Sequence, residues 1–328
     1  MTLTGNNDNK HGNLTITGGC TALVLKETLS CPGRITVRSQ AGFTGTFEKG
    51  YSCPGYNIFE GGVFHFLGAV NGAVHPYNSV KIHLYSRDNS YGYYCIGGGL
   101  ELHGENVLRP SGSYFGFSSA NSVVNLNGYD QSLSSMVTAF SQQTSACTFG
   151  FTSPGEKPCV LHLTGSVPAH ADFRGLFSGA AGLEWAPSDA SKEFCFSNTV
   201  QTTSGEFLVS SGVMRFRDGA GFDRLAKLTV KSGAKFAAAS TAGVLVTGEL
   251  TVEEGGVLEL ADGVVLQCIS MTVGGKKYES FGSYGAAELP SVVVGGGIVR
   301  FMSQINKWKG GCRKLERRRQ LVAGTCAE

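Results

Sequence analysis

The chain has 328 residues, 16% charged and 10% aromatic, with 47 glycines and a formal net charge of +2. Its 41% hydrophobic content excludes wholesale disorder, and glycine without an every-third period excludes collagen. No apolar run approaches the ~18 residues of a membrane helix, and a total of +2 gives no argument for a nucleic-acid or membrane partner.

The first residues, Met1-Thr2-Leu3-Thr4-Gly5-Asn6-Asn7, show neither the basic start nor the apolar stretch of an export signal. They read as a strand and its turn with an unprotected edge, so the true amino terminus and its signal are expected upstream. Apolar-x-apolar segments then recur at loose spacing. They are Leu14-Thr15-Ile16, Ile35-Thr36-Val37, Val63-Phe64-His65-Phe66, Val80-Lys81-Ile82-His83-Leu84, Leu100-Glu101-Leu102, Val124-Asn125-Leu126, Leu161-His162-Leu163 and Leu183-Glu184-Trp185. Alternate residues of a strand point to the same face, so each segment offers an apolar face and an outward middle residue.

Ser30-Cys31-Pro32-Gly33 returns one repeat later as Ser52-Cys53-Pro54-Gly55. If these turns stack, the two cysteines lie one strand spacing apart, ~4.8 Å, inside the range a disulfide tolerates. Cys31–Cys53 is the one specific disulfide expected. The ten cysteines contain no Cys-x-x-Cys, and no Cys/His set has zinc spacing. No metal or cofactor is expected, and most cysteines read as small buried hydrophobes.

Leu100-Glu101-Leu102-His103-Gly104-Glu105 is the best local constellation. With the leucines inward, Glu101 and His103 point outward together, as a metal pair or as an acid and a base. Exposed polar residues on an alternating strand are the plainer reading, and His65 and His83 read the same way. Tyr91-Gly92-Tyr93-Tyr94 and Ser113-Tyr114-Phe115-Gly116-Phe117 crowd the amino-terminal half. They read as aromatic columns inside a stack, with sugar-stacking platforms as the alternative.

The repeat becomes regular from residue 204. Phe207-Leu208-Val209, Leu228-Thr229-Val230, Leu250-Thr251-Val252, Met271-Thr272-Val273 and Val292-Val293-Val294 follow one another at a near-constant step, with glycines after them. One such unit cannot bury its face alone, whereas stacked units form continuous apolar columns. A step of about 21–22 residues suits one coil of a β-solenoid and is too short for a propeller blade.

Chemistry has little to work with in this sequence. Asp218-Gly219-Ala220-Gly221-Phe222-Asp223-Arg224-Leu225 resembles one calcium-binding nonapeptide but has no tandem copy, and it reads as a turn. The 25 acidic residues are scattered, with Glu253-Glu254 the only adjacent pair. A polysaccharide-cleaving site needs carboxylates brought close together, and no catalytic residue is assigned. Gly274-Gly275-Lys276-Lys277 lacks the spacing of a phosphate loop. Residues 303–328 hold seven basic and two acidic side chains, net +5, which leaves the body at 2 − 5 = −3. This segment reads as a flexible or end-capping tail without a nucleic-acid recognition motif.

Val123-Val124-Asn125-Leu126-Asn127-Gly128-Tyr129-Asp130-Gln131-Ser132-Leu133 resembles the "leucine-asparagine-glycine, then aromatic-x-Gln" turn of autotransporter-associated β-strand repeat proteins. Phe173-Arg174-Gly175-Leu176-Phe177-Ser178-Gly179-Ala180-Ala181-Gly182-Leu183 resembles their "G-x-F-x-G-x-G-x-L" turn. Thr203-Ser204-Gly205 through Val209-Ser210-Ser211-Gly212 is similar to their "T-x-G-x-x-x-V-x-x-G" step, and Ser283-Tyr284-Gly285 through Gly297-Ile298-Val299 to their closing segment. The resemblance covers roughly residues 1–301. It implies a right-handed parallel β-helix exported to, or released from, the surface of a Gram-negative cell, with structural or adhesive roles and no shared catalytic residues. Gly324-Thr325-Cys326-Ala327-Glu328 does not read as a strand of the translocator barrel that such proteins carry.

The expected architecture is all-β, a right-handed parallel β-helix with coils of about 21–24 residues. It spans residues 1–302, with irregular, wider coils over 1–203, regular ones over 204–302, and the basic tail after them. The expected function is that of a non-enzymatic secreted or cell-surface passenger-type protein, extracellular or on the outer-membrane surface. A carbohydrate-binding or polysaccharide-cleaving β-helix is the alternative. Glycans and host or cell-surface components are the partner classes considered, with no nucleic acid and no transmembrane segment.

Overall fold

A computed structural model describes residues 2–3, 7–8, 14–17, 21–38, 42–77, 80–89, 93–96, 98–108, 114–117, 122–133, 135–137, 149–164, 172–278 and 281–302. Every helix or strand among them is a β-strand, and nearly all the pairings are parallel. Adjacent parallel strands cannot be joined by a tight hairpin. The chain must travel round and return, and each circuit stacks on the last. The fold is the β-solenoid that the repeat predicts.

One ladder follows the solenoid along its length. Thr2–Leu3, Ala22–Leu25, Thr44–Phe47, Val63–Phe66, Lys81–Leu84, Gly99–Leu102 and Val123–Asn125 pair in turn. Gly150–Ser153, Leu176–Gly179 and Val200–Thr203 continue it. It ends through Gly221–Val230, Leu245–Val252 and Val265–Val273 to Ile298–Phe301. A second column aligns the regular triplets, with Leu161 beside Leu183, then Phe207, Leu228, Leu250 and Met271. A third face carries Glu193–Ser197, Val213–Arg217, Lys235–Ala238 and Val257–Leu260. Leu14-Thr15-Ile16 and Ile35-Thr36-Val37 stack on each other in a different sheet from Val63–Phe66, so the loosely spaced segments belong to separate faces. Coil length varies most before residue 204. Lys81 pairs with Val63 and with Gly99 over short circuits, whereas Gly150 reaches back to Val123 over one half as long again.

The last triplet departs from the expected series. Val293 pairs with Leu258 and Val294 with Glu259, so Val292–Val294 joins the third face and does not lie on Met271–Val273. That place is taken by Lys276–Tyr278, which runs antiparallel to Met271–Val273. The chain reverses at Gly274 (φ 54) and Gly275 (φ 76). A two-residue hairpin of this kind needs positive φ at both central residues, which glycine adopts readily. Gly282–Tyr284 covers Ile298–Phe301 in the same antiparallel manner. The two strands blunt edges that a parallel stack leaves open.

Aromatic rings fill much of the interior. Phe117, Phe151, Phe177, Phe196, Phe207, Phe216, Phe222 and Phe236 are buried and touch in sequence. Ring centroids lie 5.4 Å apart for Phe117–Phe151, 5.2 Å for Phe151–Phe177 and 4.5 Å for Phe196–Phe216. A second group joins Phe43, Phe47, Tyr51, Phe59, Phe64 and Phe66. Such pairs add roughly 0.5–1.5 kcal/mol each beyond the area they bury. Phe117 is inside, as predicted for its segment; Tyr91 and Gly92 lie outside the described residues, as does the basic stretch 303–328.

Where the backbone turns a corner, buried amides replace missing ladder bonds. The Asn57 Oδ1 accepts from the Ile35 N–H at 2.8 Å, and its Nδ2 donates to the Cys53 carbonyl at 2.8 Å. Asn89 links Val70 to Val107, Gln131 links Leu108 to Gly104, and Gln201 links Phe177 to Gly175. A buried backbone group without a partner costs about as much as a lost hydrogen bond, which gives these polar side chains a reason to be inside.

The Cys31 and Cys53 turns do stack. Ser30 pairs with Ser52, and the Cys31 N–H donates to the Ser52 carbonyl at 3.0 Å. The expected disulfide is nevertheless not formed, and both residues are buried thiols. The stacked turns hold the two thiols side by side, each acting on the other without a bond between them. Burial, with Cys31 alongside, pushes the Cys53 thiol up to about 12. Cys159, Cys195 and Cys268 are also buried thiols.

Candidate functional site

The polar chemistry lies on outward middle positions, where successive coils bring equivalent residues into line. On the short coils, His65 is the register partner of His83, and His83 of Glu101. Tyr85 and His103 directly follow the strands Lys81–Leu84 and Gly99–Leu102, two residues beyond His83 and Glu101. The rings of His65 and His83 stack with centroids 4.4 Å apart, and those of Tyr85 and His103 at 4.3 Å. The two stacks are joined crosswise. His83 Nδ1 lies 2.8 Å from His103 Nε2, and His65 Nδ1 lies 3.3 Å from the Tyr85 hydroxyl.

Charge is held off this cluster. Burial lowers the pKa of His83 to about 4, with further lowering by His65, His103 and Lys81. Burial and then His103 lower that of His65. Burial also raises the Tyr85 hydroxyl above its ordinary value. The rings spend their faces on one another, so what they offer outward is ring edge rather than a flat stacking surface.

The sequence pairs Glu101 with His103. The structure places both on the outer face but separates their partners. Glu101 accepts from the Asn127 amide at 3.2 Å, while His103 joins the ring cluster. Asp218 and Gly219 form a turn at positive φ, with the Asp218 carboxylate accepting from Thr241. Glu253 is exposed and accepts from the Ser232 N–H. Among the described residues, no group of three His, Cys, Asp or Glu side chains has a geometry for holding a metal ion.

A second arrangement lies on the neighbouring column, where Ser132, His162 and Glu184 are successive register partners. His162 Nδ1 meets Glu184 Oε2 at 2.5 Å, and the other Glu184 oxygen accepts from the Ser210 hydroxyl. The hydrogen bond to Glu184 raises the His162 pKa, and the same bond lowers that of Glu184. An imidazole oriented by a carboxylate through Nδ1 is the arrangement of a general base. The Ser132 hydroxyl, however, donates to Asn106 Oδ1 at 3.0 Å, so it does not serve this imidazole as a nucleophile here.

Further along, charges are matched coil to coil. Arg215 bridges Glu193 and Glu259, which also holds Lys235. Lys227 lies between Glu206 and Glu249 at 3.9 and 3.6 Å. The signal for the His162–Glu184 pairing is present in the sequence. His162 and Glu184 are middle residues of consecutive triplets, and stacking sets such residues side by side on the outer face. Tyr85 and Ser210 carry no such signal, since they lie beyond the apolar triplets. No protein-family model, curated protein or solved structure matches the chain.

Proposed function

We propose that this chain is a non-enzymatic, passenger-type repeat protein of the Gram-negative surface or its surroundings, with a structural or adhesive role. The observation that supports this reading best is the unbroken parallel ladder from Thr2–Leu3 to Ile298–Phe301 around an aromatic interior. Each coil is held by its two neighbours, and such a quasi-one-dimensional stack extends without needing a compact globule. A stack of this kind carries a binding face away from a membrane and resists local unfolding. The pairing of outward side chains between coils, as in His162–Glu184 and Arg215–Glu259, stiffens it further. The sequence resemblance to autotransporter-associated repeats points the same way.

The test joins a glycan array to an assay for reducing ends released from polysaccharides. Binding without release supports an adhesive role. Saccharide release that disappears in Glu184→Gln or Glu101→Gln would replace this reading with a polysaccharide-cleaving enzyme.

A further inference from the structure

The ring cluster is the one place on the described surface where three imidazoles meet. His65, His83 and His103 come from three successive coils. The rings of His83 and His103 are inclined by only 16° with centroids 5.1 Å apart, so their near edges face one another across the 2.8 Å between Nδ1 and Nε2. Such a contact needs one nitrogen with a proton and one without. When both rings are protonated, two N–H groups confront each other and the pair must part. An anionic oxygen between them accepts from both, in charge-assisted bonds of ~2.7–2.9 Å, and converts the repulsion into a bridge.

The surroundings suit an anion better than bare cations. Lys81 precedes His83 by two residues on the same strand and opposes its protonation, while adding a positive charge that an anion would meet. Glu101, the register partner of His83, is turned to Asn127, and Glu105 faces Lys157 at 3.8 Å. The flanking strands present Thr46 beside His65 and Asn125 beside Glu101, both neutral. With an anion present to offset that opposition, acidification makes a short row of cations along the solenoid axis. The anion must itself remain charged at the pH where imidazoles gain protons. Carboxylates begin to lose charge near pH ~4, whereas sulfate esters do not.

We propose that His65, His83 and His103 form a proton-coupled binding site for the sulfate groups of a sulfated polysaccharide. The site is closed when the His83–His103 hydrogen bond is made and opens to the anion when both rings are charged. Because bound sulfate favours the protonated rings, binding takes up protons. The proposal does not depend on the passenger-type reading, since a solenoid of any function can carry the site.

Calorimetric titration with dextran sulfate at fixed ionic strength tests it, with neutral dextran as the control. Binding at pH 5.0 is expected to be at least tenfold tighter than at pH 7.5, with proton uptake seen as a dependence of the heat on buffer. The double variant H83Q/H103Q is expected to lose most of that gain, and H65Q part of it. Should the double variant not fold by circular dichroism, H103Q alone serves. H162Q, which removes a titrating ring from another column, is expected to keep the gain and so separates the site from general acidification of the surface. Equal affinity at the two pH values, the full gain retained in the folded His83 and His103 variants, or an equal loss in H162Q would each overturn the proposal. Inorganic sulfate in place of the polymer is expected to bind at least tenfold more weakly at pH 5.0; equal affinity would overturn the polymer in favour of a single-anion site.

Discussion

His83 Nδ1 lies 2.8 Å from His103 Nε2, across two coils whose strands pair in register. Neither ring is at the end of a flexible loop. His83 lies within Lys81–Leu84, and His103 directly follows Gly99–Leu102, so the backbone ladder sets their separation. The pair exists because two short coils place alternate outward positions side by side.

Acid should therefore weaken this part of the solenoid. Burial and the neighbouring cations hold His83 at about 4 in the folded state, against ~6.5 for an unperturbed histidine. Between these values the folded chain binds fewer protons than the unfolded one. The stability contributed by neutral His83 is complete above pH ~6.5 and is lost as pH falls from there through about 4. Thermal unfolding followed by circular dichroism should show a midpoint that drops from pH 7 to pH 4.5. In His83→Gln the drop should be shallower. Parallel curves for the two proteins would contradict the assignment.

Much of this architecture is legible in the sequence. The regular triplets Phe207, Leu228, Leu250 and Met271 fall into the register their spacing implies, because a period-two pattern fixes which side chains face inward. Val292 follows the same spacing yet joins another sheet. Its triplet is apolar enough for either place, and the Gly274-Gly275 hairpin had already filled the first. Two adjacent glycines between apolar and polar runs are a hairpin signal, one hidden here beneath the repeat. The buried amides were not legible at all. Gln201 is polar by type and wholly buried by position, and only the path of the neighbouring coil supplies its partners. Cys31 and Cys53 show the opposite limit: proximity is readable from the repeated turn, but the state of the two thiols is not.

The His162–Glu184 pair has a window of its own. Hydrogen bonding to Glu184 raises the His162 pKa, so its contribution is full below pH ~6.5 and fades as pH rises through the raised value. Glu184 is lowered by the same bond, so its contribution is present above pH ~4.5 and is lost on acidification. Their attraction is greatest between the two. In Glu184→Gln the imidazole should titrate at a lower pH than in the parent, as read from its ring resonances by NMR. Denaturant unfolding at pH 6 should show a loss of about 1 kcal/mol, since the His162 side chain is 32% exposed and solvent screens the pair. An unchanged titration midpoint would mean that Glu184 does not hold this ring.

Gln201 should be among the least replaceable polar residues. Its Oε1 accepts from the Phe177 N–H at 2.7 Å, and its Nε2 donates to the carbonyls of Gly175 and Thr199 at 3.2 Å. Gln201→Leu keeps the size of the side chain but strands these groups inside the fold. Each buried group left without a partner costs about 1–3 kcal/mol, so urea unfolding should show a loss of ~2–4 kcal/mol, at the low end where one carbonyl finds another donor. Parent-like stability in Gln201→Leu would show that water reaches the corner.

The glycines of the corners should divide into two classes when changed to alanine. Gly263 has a φ of 80°, and an added Cβ meets nothing within 4 Å. Gly263→Ala carries only the left-handed backbone penalty, ~1–2 kcal/mol. Gly179 has a φ of 64°, and its Cβ would lie 2.1 Å from the Ser153 carbonyl oxygen of the preceding coil. That oxygen cannot easily retreat, because it accepts from the Ala180 N–H at 2.8 Å. The Gly179 carbonyl is itself anchored by the Ser204 N–H at 2.8 Å and the Thr203 hydroxyl at 3.2 Å. Overpacking against a fixed backbone adds ~1–3 kcal/mol to the conformational penalty. Gly179→Ala should therefore unfold at a lower urea concentration than Gly263→Ala, with the slope of the transition unchanged. Equal midpoints would mean that the coils can slide apart at this corner, and that the stack is looser than its ladder of hydrogen bonds implies.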